Sequence, residues 1–195
     1  IQVGVRVQLP FGGRETEGVI VERVGIPERA GELKNITRVL SDVPVATTQS
    51  LLLIDTIAAH FGANAWDVIR SAIPARVASV DKNFAIRSLH IENKAKFSVE
   101  FQTLAPYIEA HDQLVNLVLS NSGSGSVLVI APDEKDVDRI IQSLDMNGVK
   151  ALKLTAAIPR EERYRNYLQA MHGGNSVVVG TRSAIFAPVN KLSTI

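Results

Sequence analysis

No cysteine occurs in the sequence, so neither a disulfide framework nor a thiolate zinc site can form within it. No apolar run approaches the roughly 18 to 20 residues that span a bilayer, and no secretory leader is visible at Ile1. An excess of one charge is missing too. The 21 Lys and Arg face 20 Asp and Glu, a net +1, so a nucleic-acid partner must be met by local patches and not by a global field. The four histidines, His60, His90, His111 and His172, are too scattered for metal-ligand spacing, and no local carboxylate pair points to acid–base work. What remains is a 195-residue chain, 46% hydrophobic, with enough apolar content for one or two ordinary cores. It opens without methionine in a strand-like pattern and stops at Ile195 in another apolar stretch. It reads as part of a longer, cytoplasmic protein.

The first part alternates. Val3, Val5, Val7 and Leu9 share one face, and Gly4, Arg6 and Gln8 the other, the period of a half-buried strand. Pro10-Phe11-Gly12-Gly13 is expected to break it, and Gly18–Val24 to return as the second strand of a hairpin. Leu33–Leu40 reads as a third strand. Three short strands with glycine turns make a small twisted sheet or partial barrel. Thr47 or Thr48 caps a helix to Phe61 whose apolar positions Leu51, Leu52, Ile54, Ile57, Ala58 and Phe61 follow a 3.6 period, with Gly62 closing it. A second helix, 65–72, carries Trp66, read as a core residue, and ends before Pro74. Residues 1–74 are therefore read as one domain and 75–95 as a linker, with one short strand at 85–91.

From Ala95 the pattern changes. Strands at 96–101, 127–130, 148–154 and 176–179 alternate with helices at 106–120, 132–146 and 159–171. That alternation argues for parallel βαβ units in a three-layer sandwich. Ser122-Gly123-Ser124-Gly125-Ser126 has the composition of a phosphate loop but no lysine, and it precedes a strand where such a loop must follow one. It reads as a flexible connection. Arg160, Glu161, Glu162, Arg163 and Arg165 form a charge run, with Glu161 and Arg165 spaced as a surface pair.

The most informative stretch is Val177–Val189, VVVGTRSAIFAPV. A β-branched run ending at glycine is a buried parallel strand meeting its C-terminal loop, the end at which open α/β sheets bind ligands. Thr181, Ser183 and nearby backbone N–H groups can donate to a phosphate, and Arg182 adds a cationic fork. An ordinary strand-to-loop turn with a solvated arginine is the other reading of the same spacing.

VVVGTRSAIFAPVNKL resembles the segment before the Walker B strand in the PriA family of primosomal replication-restart helicases, superfamily 2. VGVRVQLPFGGRETEGVIVERV is similar to that family's β-rich N-terminal domain, which holds the 3′ end of a DNA strand, and LKNITRVLSDVPV and ANAWDVIRSAIP resemble the segments that follow. The resemblance implies a 3′-DNA-end-binding domain followed by an incomplete RecA-like α/β/α lobe at 96–195. It also implies that Gly12 and Lys34 line a 3′-nucleotide pocket and that the Thr181-Arg182-Ser183 loop lies on the single-stranded DNA side. Glycine permits close approach and lysine neutralises phosphate. The family's other pocket residues lie on a strand that would precede Ile1, and its winged-helix domain has no room in 75–95.

A RecA-like lobe should open with a strand and GxxxxGK[ST], whose glycines wrap the phosphates and whose lysine contacts them. Here Gln102–Tyr107 carries neither glycine nor lysine. VLVIAPDEKDVDR and LTAAIPREERYR, with no phosphate loop, are closest to the actinobacterial-type branch of the family, held to have lost helicase activity. The resemblance thus implies a DNA-binding restart protein without helicase activity. Its partners would be forks, 3′ ends and single strands, with other primosome proteins and single-strand-binding protein beside them and no membrane. ATP, magnesium and zinc belong to the family's full-length form and no cofactor is expected within this stretch. The rival expectation is an active helicase with an unconventional nucleotide site; a third is a lobe that only docks partner proteins.

Overall fold

The computed structural model describes residues 1–26, 31–86, 97–103, 105 and 110–195. They form two compact units, 1–73 with 78–84, and 74–77 with 85–195.

In the first unit, β1 (Arg6–Phe11), β2 (Arg14–Val19) and β3 (Arg38–Ser41) make an antiparallel sheet in the order β2-β1-β3. The first hairpin differs from expectation. Pro10 does not end β1, because it lies beyond Gln8, the last β1 residue paired with β3, and its missing N–H breaks no ladder bond. The strand runs on to Phe11, which pairs with Arg14 across Gly12-Gly13. Both glycines have positive φ, 58° and 77°, the mirror-image turn that suits the strand twist. That turn sets the register, so the return strand is 14–19 and not 18–24. The third strand is four residues, and 31–37 before it are irregular and exposed.

Helix α1 (Thr48–Phe61) opens with a reciprocal box: Thr47 Oγ1 accepts from the Ser50 N–H at 3.1 Å, and Ser50 Oγ accepts from the Thr47 N–H at 2.9 Å. Leu51, Ile54 and Ala58 are buried on one stripe. Leu52 falls off that stripe and Phe61, 75% exposed, stands past the end of the core, so the apolar face is narrower than the sequence pattern. In α2 (Ala65–Ala72), Ile69 and Ala72 are buried. Trp66 is 38% exposed; it belongs to the first turn, ahead of the buried pair, and is not core. Ala78–Asn83 form a short helix, α3, inside the stretch read as linker.

The second unit holds β4 (Ser126–Ile130), β5 (Ala151–Leu154), β6 (Val177–Gly180) and β7 (Leu192–Thr194), all parallel, in the order β5-β6-β4-β7. Helices α4 (Ala110–Asn121), α5 (Glu134–Met146) and α6 (Arg160–His172) accompany them. The crossover through α5 moves outward from β4 to β5, and the one through α6 moves back to β6. Right-handed connections in opposite directions put the two helices on opposite faces. The core agrees: Val127, Val129, Val177 and Val179 pack with Val115 and Val118 of α4 and Val137, Ile140 and Leu144 of α5. The alternate residues Leu128 and Val178 are fully buried, as are Tyr164 and Leu168 of α6.

The strand expected at 96–101 does not form: residues 97–101 are irregular, and Phe101 is 93% exposed. Phe97, Val99 and Phe101 have the alternation of a strand but pair with no strand among the described residues, and Lys96 lies outside them. Of the strand expected at 85–91, Ala85 and Ile86 are irregular and 87–91 lie outside. Of the helix expected at 106–120, residues 106–109 lie outside. No helix among the described residues is long and apolar enough to cross a membrane.

Candidate nucleic-acid interface

The sequence-derived residues fall on two surfaces, one in each unit. The first is the tip of the β1–β2 hairpin. Gly12 turns the chain there, and no atom lies within 4 Å of where a Cβ would be on Gly12 or Gly13. The tip is open for a ligand to touch backbone directly. Lys34 is exposed in the irregular stretch before β3. The Thr37 N–H donates to the Gln8 carbonyl at 2.8 Å, so this stretch leaves the sheet beside β1. The β1–β3 pairing ends at Gln8↔Arg38, and Lys34 lies four residues before it in the exposed, irregular stretch. Neither Gly12 nor Lys34 has a hydrogen bond or ion pair that would occupy it within the described residues.

Below the tip, one face of the sheet is polar and its charged groups are paired within the sheet. Arg6 is buried and bonds the Glu17 carboxylate, Arg38 Nε donates to Gln8 Oε1 at 2.7 Å, and Thr37 Oγ1 donates to Glu15 Oε1 at 3.3 Å. The expected polar face is thus present, but Arg6 is not at the solvent surface.

The second surface is the C-terminal end of the parallel sheet. Gly180 closes β6, and its carbonyl accepts from the Ala131 N–H at 2.9 Å, holding the ends of β6 and β4 level. A Cβ on Gly180 would sit 2.4 Å from the Leu154 carbonyl oxygen and 2.5 Å from Ala184 Cβ, so only glycine lets the chain turn this tightly between its neighbours. The loop expected next is a 3₁₀ turn, Arg182–Phe186, with the Ala184 N–H donating to the Thr181 carbonyl at 2.8 Å. Ala184 is buried as its anchor. Arg182 and Ser183 are exposed and Thr181 half-exposed, with no side-chain partner among the described residues. The three groups are side by side, as the sequence placed them.

Other charges at this end are already engaged. Lys153 bonds Glu134 and reaches Asp138 at 2.5 Å, and Thr155 Oγ1 donates to Glu134 at 3.0 Å. Burial lowers the Lys153 pKa, but its bonds to the two carboxylates outweigh that and leave it raised above its ordinary value. Lys153 is therefore a clamp between α5 and β5 and not a phosphate ligand. In the charge run, Arg165 pairs with Glu161 at 2.6 Å as its spacing implied, and Arg160 Nη2 donates to the Arg76 carbonyl at 2.5 Å.

Two residues that the sequence reading passed over tie the opposite, N-terminal edge of the parallel sheet together. Ser126 and Asn190 are completely buried. Ser126 Oγ donates to the Asn190 carbonyl at 2.6 Å and accepts from the Ser176 N–H at 2.9 Å; Asn190 Nδ2 donates to the Gly173 carbonyl at 2.7 Å. A lone Asn following an apolar run, APVN, was the only local sign.

The stretch 102–107 has no glycine and no lysine, and the chain has no cysteine. No group of three or more His, Asp or Glu side chains among the described residues could hold a metal ion.

Residues 1–74 match the profile described as "3′DNA-binding domain (3′BD)" of PriA. Along its whole length the chain is 31% identical to the "Probable replication restart protein PriA" of Mycobacterium tuberculosis (strain H37Rv), and 30% identical to the protein of the same description from Mycobacterium leprae (strain TN). The aligned segment is 33% of the first relative and 34% of the second, so the chain spans about a third of the length of the curated relatives it matches.

Proposed function

We propose that the chain, which matches the PriA 3′DNA-binding domain over residues 1–74 and is 31% identical over its own length to a third of a probable replication restart protein PriA, is a DNA-holding part of a replication-restart protein, engaging forked or 3′-ended DNA without unwinding it. The observation that carries the reading is the open two-glycine tip of the β1–β2 hairpin within the stretch matching a 3′DNA-binding domain. Gly12 gives a strand end room to approach backbone, and Lys34 supplies a phosphate contact. Both contacts are blind to sequence, which suits a protein that must act wherever a fork stalls.

Thr181, Arg182 and Ser183 form the second contact. Two hydroxyls and a guanidinium on a rigid turn can bind the backbone of a single strand. Four parallel strands with helices on both faces are compatible with a RecA-like lobe, which here acts as a scaffold. The absent glycine loop and lysine support binding without ATP turnover. Other primosome proteins and single-strand-binding protein are the further partners of this reading.

The test uses the natural protein at full length. Fluorescence anisotropy with a forked DNA bearing a free 3′ leading end is followed across a salt series, together with DNA-stimulated ATP hydrolysis. Wild type should bind in a salt-sensitive manner without turnover. Lys34→Ala and Arg182→Ala should each weaken binding and reduce the salt slope by about 1. Turnover would overturn the scaffold reading in favour of an active helicase; unchanged slopes would remove these residues from the interface.

A further inference from the structure

We propose that Phe11 and Arg14 at the hairpin tip form a second DNA-gripping pair, in which the Phe11 ring stacks on a base of the bound strand while Arg14 contacts its phosphate. The inference rests on the DNA-binding reading and adds a base-contacting element to it.

Phe11 is the last residue of β1 and Arg14 the first of β2, directly opposite each other in register. Paired residues point to the same side of a sheet. Alternation places them on the side of Val7, Leu9, Thr16 and Gly18, and places Glu15 and Glu17 on the other. Those carboxylates are occupied there, by Thr37 and Arg6. The Arg14 side chain has no ion pair or hydrogen bond among the described residues. The tip therefore shows a cation beside an aromatic ring, with the acids turned away.

Phe11 is 71% exposed. Its neighbour on that face does not cover it: a Cβ on Gly18 would lie 2.8 Å from Leu9 Cδ2, so Leu9 leans back across Gly18, away from the tip. A large ring held out on a two-residue turn loses little freedom on binding, since its backbone is already fixed. The absence of side chains at Gly12 and Gly13 leaves the ring approachable from the turn. A flat apolar face beside a guanidinium matches a nucleotide, which offers a π-face and an anion a few ångströms apart.

The experiment measures binding of a labelled single-stranded oligonucleotide with a free 3′-OH by the full-length protein. A second oligonucleotide has abasic sites at its last three positions. Variants are Phe11→Ala, Phe11→Trp, Arg14→Ala and, as a matched control, Phe61→Ala, an equally exposed phenylalanine on α1. Phe11→Ala should weaken binding to the intact strand about tenfold with no change of salt slope, within the range of a lost stacked base. Phe11→Trp should retain binding. The abasic strand should bind wild type weakly and show no further loss on Phe11→Ala. Arg14→Ala should lower the salt slope by about 1. The stacking proposal is overturned if Phe11→Ala behaves like Phe61→Ala, the result expected were this ring to dock a protein, or if the loss is equal on both strands. Failure of wild type to bind either strand would instead sink the DNA-binding reading, and this proposal with it.

Discussion

Ser126 Oγ donates to the Asn190 carbonyl at 2.6 Å, joining the first residue of β4 to a position 64 residues later. Asn190 in turn reaches Gly173 through Nδ2, and its N–H donates to the Ala170 carbonyl at 2.8 Å. Asn190 thus ties the end of α6 through its side-chain amide, and the start of β4 and α6 again through its backbone, at the entry to β7. Asn190→Ala should lower unfolding stability by about 2–3 kcal/mol, because it removes a fully buried hydrogen-bonding side chain. Urea denaturation of the variant gives the number; a loss under about 0.5 kcal/mol would mean the network is replaced by water.

Gly180 is held by close approach and not by an unusual φ. Gly180→Ala should cost about 1–3 kcal/mol by overpacking against Leu154 and Ala184. Gly123→Ala, where no atom lies within 4 Å of the added carbon, serves as the control and should change stability by less than about 0.5 kcal/mol. Comparing the two denaturation midpoints isolates the steric term.

The hairpin turn permits a separation of folding from binding. Asn-Gly suits the mirror-image turn as well as Gly-Gly does, so Gly12→Asn should leave the melting temperature unchanged while placing a side chain where DNA must approach. Binding of 3′-ended DNA should then fall about tenfold, the equivalent of about 1.4 kcal/mol. Gly12→Val should also destabilise the fold, by about 1–2 kcal/mol, since a β-branched residue resists positive φ. Equal DNA binding by wild type and Gly12→Asn would exclude direct contact at this glycine.

Lys153 carries a pH signature. Its pKa is raised in the folded protein, burial being outweighed by its bonds to Asp138 and Glu134. A base raised on folding stabilises at every pH below its unfolded value, about 10.4, and loses that contribution as pH climbs through the folded value. Lys153→Met should therefore cost about 0.5–1 kcal/mol at pH 7, modest because Asp138 is largely exposed. The gap between wild type and variant should narrow above about pH 10.4. Denaturation at pH 7 and pH 11 checks both the size and the direction.

Elements governed by neighbours in the chain were legible from the sequence: the Thr47 cap, the Gly62 terminus, the α5, α6, β4 and β6 segments, and the parallel alternation that follows from them. Their signals are periodicity and capping, which act over a few residues. The resemblance was legible for a related reason, since it is carried by short contiguous runs such as VVVGTRSAIFAP and VRVQLPFGG. The tertiary structure decided the rest. Composition could not say that β1 would pass through Pro10, because that depends on where β3 stops. Nor could it say that Trp66, Leu52 and Phe61 would face solvent, because an apolar stripe is buried only where a partner surface reaches it. Phe97, Val99 and Phe101 alternate like a strand and are irregular, pairing with no strand among the described residues. Ser126, Gly180 and Asn190 gain their roles only when segments distant in sequence meet, and no local pattern records that meeting.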